Sequence, residues 1–268
     1  MREYTIDYLK KLEEQWLEID NLVELASRYE DSDIDSYNSL CRATMVLCVS
    51  HMESFYKKLV QNIISDIEGI EFKKLPESMK RQFCHYFIGG EISKENNEKI
   101  TLLIKELEGH TTFKLSYDIF LPSKNKNPKP SVIESICDVL GTKKIFMLLD
   151  DTVFDNIFSM TEKEIERLDN KINKRLCTIL SEQKKIKLHF LRKNKKIINE
   201  EKSKKETVRQ ERTLWQLFFD DINTKRHDIA HGNSLNNSTS TAELKIIKGK
   251  CKVFQKLCIV VIFSNLIL

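Results

Sequence analysis

The densest group of reactive side chains is the string Thr224-Lys225-Arg226-His227-Asp228-Ile229-Ala230-His231-Gly232. Two chemistries can be built from it. His227 and His231 are four residues apart, about one helical turn, and with Asp228 they spell His-Asp-x-x-His, the outline of a metal-holding helix. In the zinc version of that helix the second position is a glutamate acting as base; aspartate is one methylene shorter, and no obvious third ligand follows. The other chemistry needs no metal. Histidine gives and takes protons near neutral pH, and an arginine fork holds a phosphate and the charge that develops on it. Arg226 continues the apolar stripe of Trp215, Phe219, Ile222 and Ile229. Its guanidinium therefore starts from the covered side of a helix and needs a partner or a ligand.

The same string resembles the metal-binding His-Asp pair of the HD-domain phosphohydrolases. That family completes its site with an aspartate well downstream, whereas residues 232–268 contain no aspartate and only one carboxylate side chain, Glu243. The metal-dependent reading lacks a ligand.

Arg226 and His231 also form the Arg-x4-His signature of the HEPN superfamily, and the surroundings are similar. A polar residue, His227, follows the arginine; Ile229-Ala230-His231-Gly232 closes the motif; the motif lies late in the chain with one amphipathic segment behind it. The early helix carrying Val49-Ser50-His51-Met52-Glu53-Ser54-Phe55 is similar to the HEPN helix that bears an acidic residue opposite the motif, which makes Glu53 the expected partner of Arg226. The resemblance covers about residues 38–68 and 212–268. It implies an all-α, HEPN-like bundle, a homodimer with both motifs at a shared cleft, and metal-independent RNA cleavage without a cofactor. The setting it implies is toxin-antitoxin or anti-phage defence, with an antitoxin or other defence-system protein as a further partner. A competing reading, also within HEPN-like domains, is a non-catalytic nucleotide- or protein-binding module. Asn233 stands where the HEPN toxins paired with nucleotidyltransferases carry a tyrosine two residues after the histidine, so modification at that position is not expected.

These residue types suit attack by a ribose 2′-hydroxyl on its own phosphate. The reaction needs a base for the hydroxyl, an acid for the leaving 5′-oxygen, and positive charge on the phosphorane. Arg226 and His231 are the catalytic candidates, with His227, Asp228, Glu53 and Asn233 in support. Residues 184–212 hold twelve Lys or Arg against four Glu, in a chain of net charge +4. Such a tract is either a solvated face or a contact surface for phosphate backbone. On the second reading Lys195, Lys196, Lys204 and Lys205, with Lys225, hold RNA.

Helices must position these groups. Leu12, Trp16, Ile19, Val23 and Ala26 repeat at spacings of three and four, and Met45, Val49, Met52, Tyr56, Leu59 and Ile63 repeat likewise, which predicts a first helix ending before Glu30 and a second over about residues 34–68. Ser32 or Asp33 offers the second helix its N-cap. Thr161 and Glu164 have capping-box spacing ahead of Ile165, Leu168, Ile172, Leu176 and Ile179. A further helix starts near Arg212, and Leu244, Ile247, Cys251, Phe254, Cys258 and Val261 mark the last. The expected architecture is a single domain over residues 1–268, a bundle of at least four long helices. Residues 69–160, with shorter helices after Pro76 and near 94–107, are expected to be an insertion.

Composition agrees. Eleven Gly and Pro in 268 residues are too few for a sandwich, a barrel or a glycine-rich phosphate loop. The seven cysteines include no Cys-x-x-Cys pair, and reduced buried thiols are expected. The charged start at Met1 has no apolar signal core, and the apolar run 257–268 is shorter than the roughly 20 residues of a membrane span. A cytoplasmic protein without a membrane partner is the expectation.

Overall fold

A computed structural model describes residues 3–89, 93–109, 114–121, 127–181, 212–232 and 239–265. Its regular elements are helices: α1 (Glu3–Ser27), α2 (Ile34–Asp66), α3 (Glu77–Ile88), α4 (Lys94–Glu108), α5 (Pro130–Val139), α6 (Ile145–Leu149), α7 (Glu162–Ser181), α8 (Leu214–Ala230) and α9 (Thr241–Asn265). Single 3-10 turns lie at Phe72–Lys74, Tyr117–Phe120 and Asp155–Ser159. The protein is all-α.

The helices α1 and α2 form an antiparallel pair through the two predicted stripes, all of whose members are buried. Asp33 caps α2 by accepting from Ser36 N. At the far end of the pair the Asp66 carboxylate accepts from the backbone N–H groups of Tyr4 and Thr5, at 2.9 and 3.0 Å. These are orphan donors at the start of α1, so the end of one helix caps the beginning of the other.

The last helix is the axis of the bundle. Every residue from Val253 to Phe263 in α9 is buried, so this half has no solvent face and packs on all sides. Trp16 Nε1 donates to Gln255 Oε1 from α1 at 2.9 Å. Phe254 meets Trp215 and Phe219 of α8 and Phe146 of α6, with centroids 4.6–5.6 Å apart. Lys256, 3% exposed, reaches Asp169 of α7 at 2.7 Å and Glu13 of α1 at 2.6 Å, so its buried charge is compensated from two directions. Where α7 crosses α9, a Cβ added to Gly249 would lie 2.6 Å from Ile165 Cγ2. Among the described residues no helix is long and apolar enough to cross a membrane, and the seven cysteines are free, six of them buried.

Candidate functional site

The helix that carries the Arg-His motif is fixed at its start by a reciprocal box. Thr213 Oγ1 accepts from Gln216 N, and Gln216 Oε1 accepts from Thr213 N. At Thr161 the predicted box is one-sided: Glu164 accepts from Thr161 N, but the Thr161 hydroxyl donates to the same carboxylate instead of accepting. Trp215, Phe219 and Ile222 then bury one face of α8. Asn223 locks the next turn, its Nδ2 donating to Phe219 O at 2.7 Å and to Pro128 O at 3.0 Å, which ties the approach to α5 against α8.

Beyond Asn223 the helix leaves the core, and the motif lies on its last turn. Arg226 and Asp228 are half-buried, while His227 and His231 are exposed. Arg226 forms no hydrogen bond or ion pair among the described residues, although it sits on the stripe that leads out of the core. The His227 and His231 rings lie with centroids 4.2 Å apart at 53°. The chain stops being helical at His231, whose N–H still donates to His227 O. Gly232 follows at φ +70°, the left-handed conformation that ends helices and that glycine adopts without strain. His231 therefore stands at the helix end still one turn above His227, about 140° around the axis from Arg226.

Two expectations need correction. Lys225 is not a free phosphate contact: its Nζ lies 2.6 Å from Glu243 and 3.1 Å from Asp221. Burial works against its charge, but the hydrogen bonds to Glu243 and Asp221 win and hold its pKa above the usual lysine range. Nor does Glu53 pair with Arg226. The Lys225–Glu243 bond and the donation from Thr241 N to Tyr37 Oη place the end of α8 level with the starts of α9 and α2. Glu53 lies about five turns further along α2, half-buried and facing a cavity beside α3. Asn233, Lys195, Lys196, Lys204 and Lys205 lie outside the described residues.

A family model, RiboL-PSP-HEPN, matches residues 7–158. The chain belongs to the RiboL-PSP-HEPN family. The matched region runs from α1 through the turn Asp155–Ser159, so it contains Glu53 and nearly all of residues 69–160, and it ends before Arg226. Searches of curated proteins and of solved structures found no match. Within this RiboL-PSP-HEPN chain the Arg-His segment thus stands on its own geometry.

The structure also brings together groups that spacing gave no sign of. His85 of α3 and Asp118 share a cavity with Glu53 of α2 although they are far apart in sequence. Asp150, Asp151 and Asp155 cluster within 4.8 Å around a turn. Burial, with the charges of Asp150 and Asp151, pushes the Asp155 carboxyl up to about 6 against a hydrogen bond from Asp151 N that pulls the other way.

Proposed function

We propose that the protein is a metal-independent endoribonuclease acting at the end of α8. The observation that carries this reading is the arrangement, at an exposed helix end, of two touching imidazoles beside an arginine that forms no hydrogen bond or ion pair among the described residues. Arg226 holds the scissile phosphate and offsets charge on the phosphorane. His231 takes the proton of the ribose 2′-hydroxyl as its oxygen bonds to phosphorus. The bond to the 5′-oxygen breaks, and a second imidazole gives that oxygen a proton. The products are a 2′,3′-cyclic phosphate and a 5′-hydroxyl. In the homodimer this reading assigns, the second imidazole is the second protomer's His231 across a two-fold cleft. His227, packed on His231, orients it. The setting is toxin-antitoxin or anti-phage defence, where an antitoxin or other defence-system protein restrains the activity.

The test is a substrate pair differing at one oxygen. An RNA cleaved by the wild type becomes refractory when the ribose 5′ to the cut is 2′-deoxy, and Arg226→Ala and His231→Ala each slow cleavage of the all-ribose substrate about a hundredfold or more. Cleavage of the 2′-deoxy substrate at an undiminished rate contradicts the mechanism.

A further inference from the structure

The cavity that Glu53 faces lies between α2, α3, α5 and the turn Tyr117–Phe120, and its volume is about 980 Å³. Cavities of this size accept ligands as large as a nucleotide. Ile119, Leu121, Val132 and Ile136 give it apolar walls. Four charged or imidazole side chains are part of the lining: Glu53 and Lys57, one turn apart on α2, with His85 and Asp118, of which Lys57 and Asp118 lie at the exposed mouth. None of the four forms a side-chain hydrogen bond or ion pair among the described residues. His85 Nε2 is closed to solvent and has no partner, a condition that calls for one. Gln82 is already committed, donating Nε2 to Ile119 O.

These groups specify their occupant. The two carboxylates accept hydrogen bonds only, so a ligand that meets them presents N–H or O–H donors. Lys57, exposed at the mouth, suits an anionic group, so a ligand that carries both donors and an anion fits better than a simple amine or guanidine. The apolar walls and the exposed Tyr86 ring at the cavity favour a flat heteroaromatic body. Among the bases guanine alone carries adjacent N–H donors, N1–H and the 2-amino group, which match the two oxygens of one carboxylate; its O6 and N7 accept. Adenine and cytosine place an acceptor beside their amino group, and uracil flanks its single N–H with carbonyl oxygens, so each meets a carboxylate with repulsion.

We propose that this cavity binds the guanine base of a nucleotide, with Glu53 reading the base edge and Lys57 the phosphate. The site is separate from Arg226 and His231, and its occupancy is read without any cleavage. The Asn223–Pro128 bond sets α8 beside the approach to α5, a few residues from Val132. The base can therefore come from an RNA strand or from a free nucleotide.

Calorimetric titration of the whole protein with GMP, AMP and two 2′-O-methylated trinucleotides, one with a central guanine and one with a central adenine, tests this. A guanine ligand binds at least tenfold tighter than its adenine counterpart, and Glu53→Gln removes at least tenfold of that affinity, as loss of a charged hydrogen-bond partner should. Asp118→Asn weakens binding independently, so the proposal stays testable if one variant misfolds. Tighter binding of the guanine trinucleotide than of GMP assigns the cavity to RNA; the reverse assigns it to a free nucleotide. Equal affinity for guanine and adenine, no binding of either guanine ligand, or full binding by folded Glu53→Gln and Asp118→Asn overturns the proposal.

Discussion

Arg226 and His231 differ in how the fold supports them. The arginine leaves a buried stripe and reaches half-exposure within one turn, while the histidine sits past the last helical residue, against His227. Their types and spacing were legible in the chain. The pairing with Glu53 was not, because spacing along α2 defines a face but not the level at which another helix crosses it. Asp155 gives a residue-scale prediction. Its pKa is raised to about 6 in the folded state, chiefly by burial, against about 3.9 for a free aspartate. The folded state then binds more protons than the unfolded one between those values. Its contribution is fully present below about pH 4 and is lost as pH rises through 6. Asp155→Asn, which keeps an acceptor for Asp151 N, should flatten the decline of thermal midpoint between about pH 4 and 6. An unchanged pH profile contradicts this.

At the scale of elements, the spacing of Leu12 to Ala26 and of Met45 to Ile63 predicted α1 and α2 closely, because each helix has one buried face. The helices α5 and α6 are short, and no helix was predicted over their residues. In α9, the stripe from Leu244 to Val261 marks the helix and the apolar run from Leu257 marks a buried C-terminal half; the burial on every side begins one turn earlier, at Val253, and runs to Phe263. A helix surrounded by others carries no solvent face for periodicity to reveal. The crossing of α7 on α9 depends on the missing side chain of Gly249. Gly249→Ala forces Ile165 to move and should cost about 1–3 kcal/mol despite its gain in helix propensity. Urea denaturation measures it, and a stabilised variant would mean that α7 shifts without strain.

For the whole molecule, the all-α class and the HEPN resemblance were readable, since few turns and long apolar stripes leave little else. The cavity between α2, α3, α5 and the turn Tyr117–Phe120 was not, because it exists only where four separated segments converge. Charge is unevenly distributed as well: the excess of eight cations over residues 184–212 exceeds the net charge of the chain. If that tract holds RNA backbone, replacing Lys195, Lys196, Lys204 and Lys205 with glutamine should lower the slope of log affinity against log salt. An unaltered slope removes the tract from RNA binding. Metal-free cleavage by the Arg-His segment is the property on which the proposed function turns. The direct measurement incubates purified wild type, Arg226→Ala and His231→Ala with labelled tRNA and mixed single-stranded RNA in excess EDTA and resolves the product ends. Cleavage by the wild type alone, leaving 2′,3′-cyclic phosphate and 5′-hydroxyl ends, is the predicted result; activity that appears only on adding Mn²⁺ or Zn²⁺ and depends on His227 or Asp228 would contradict it.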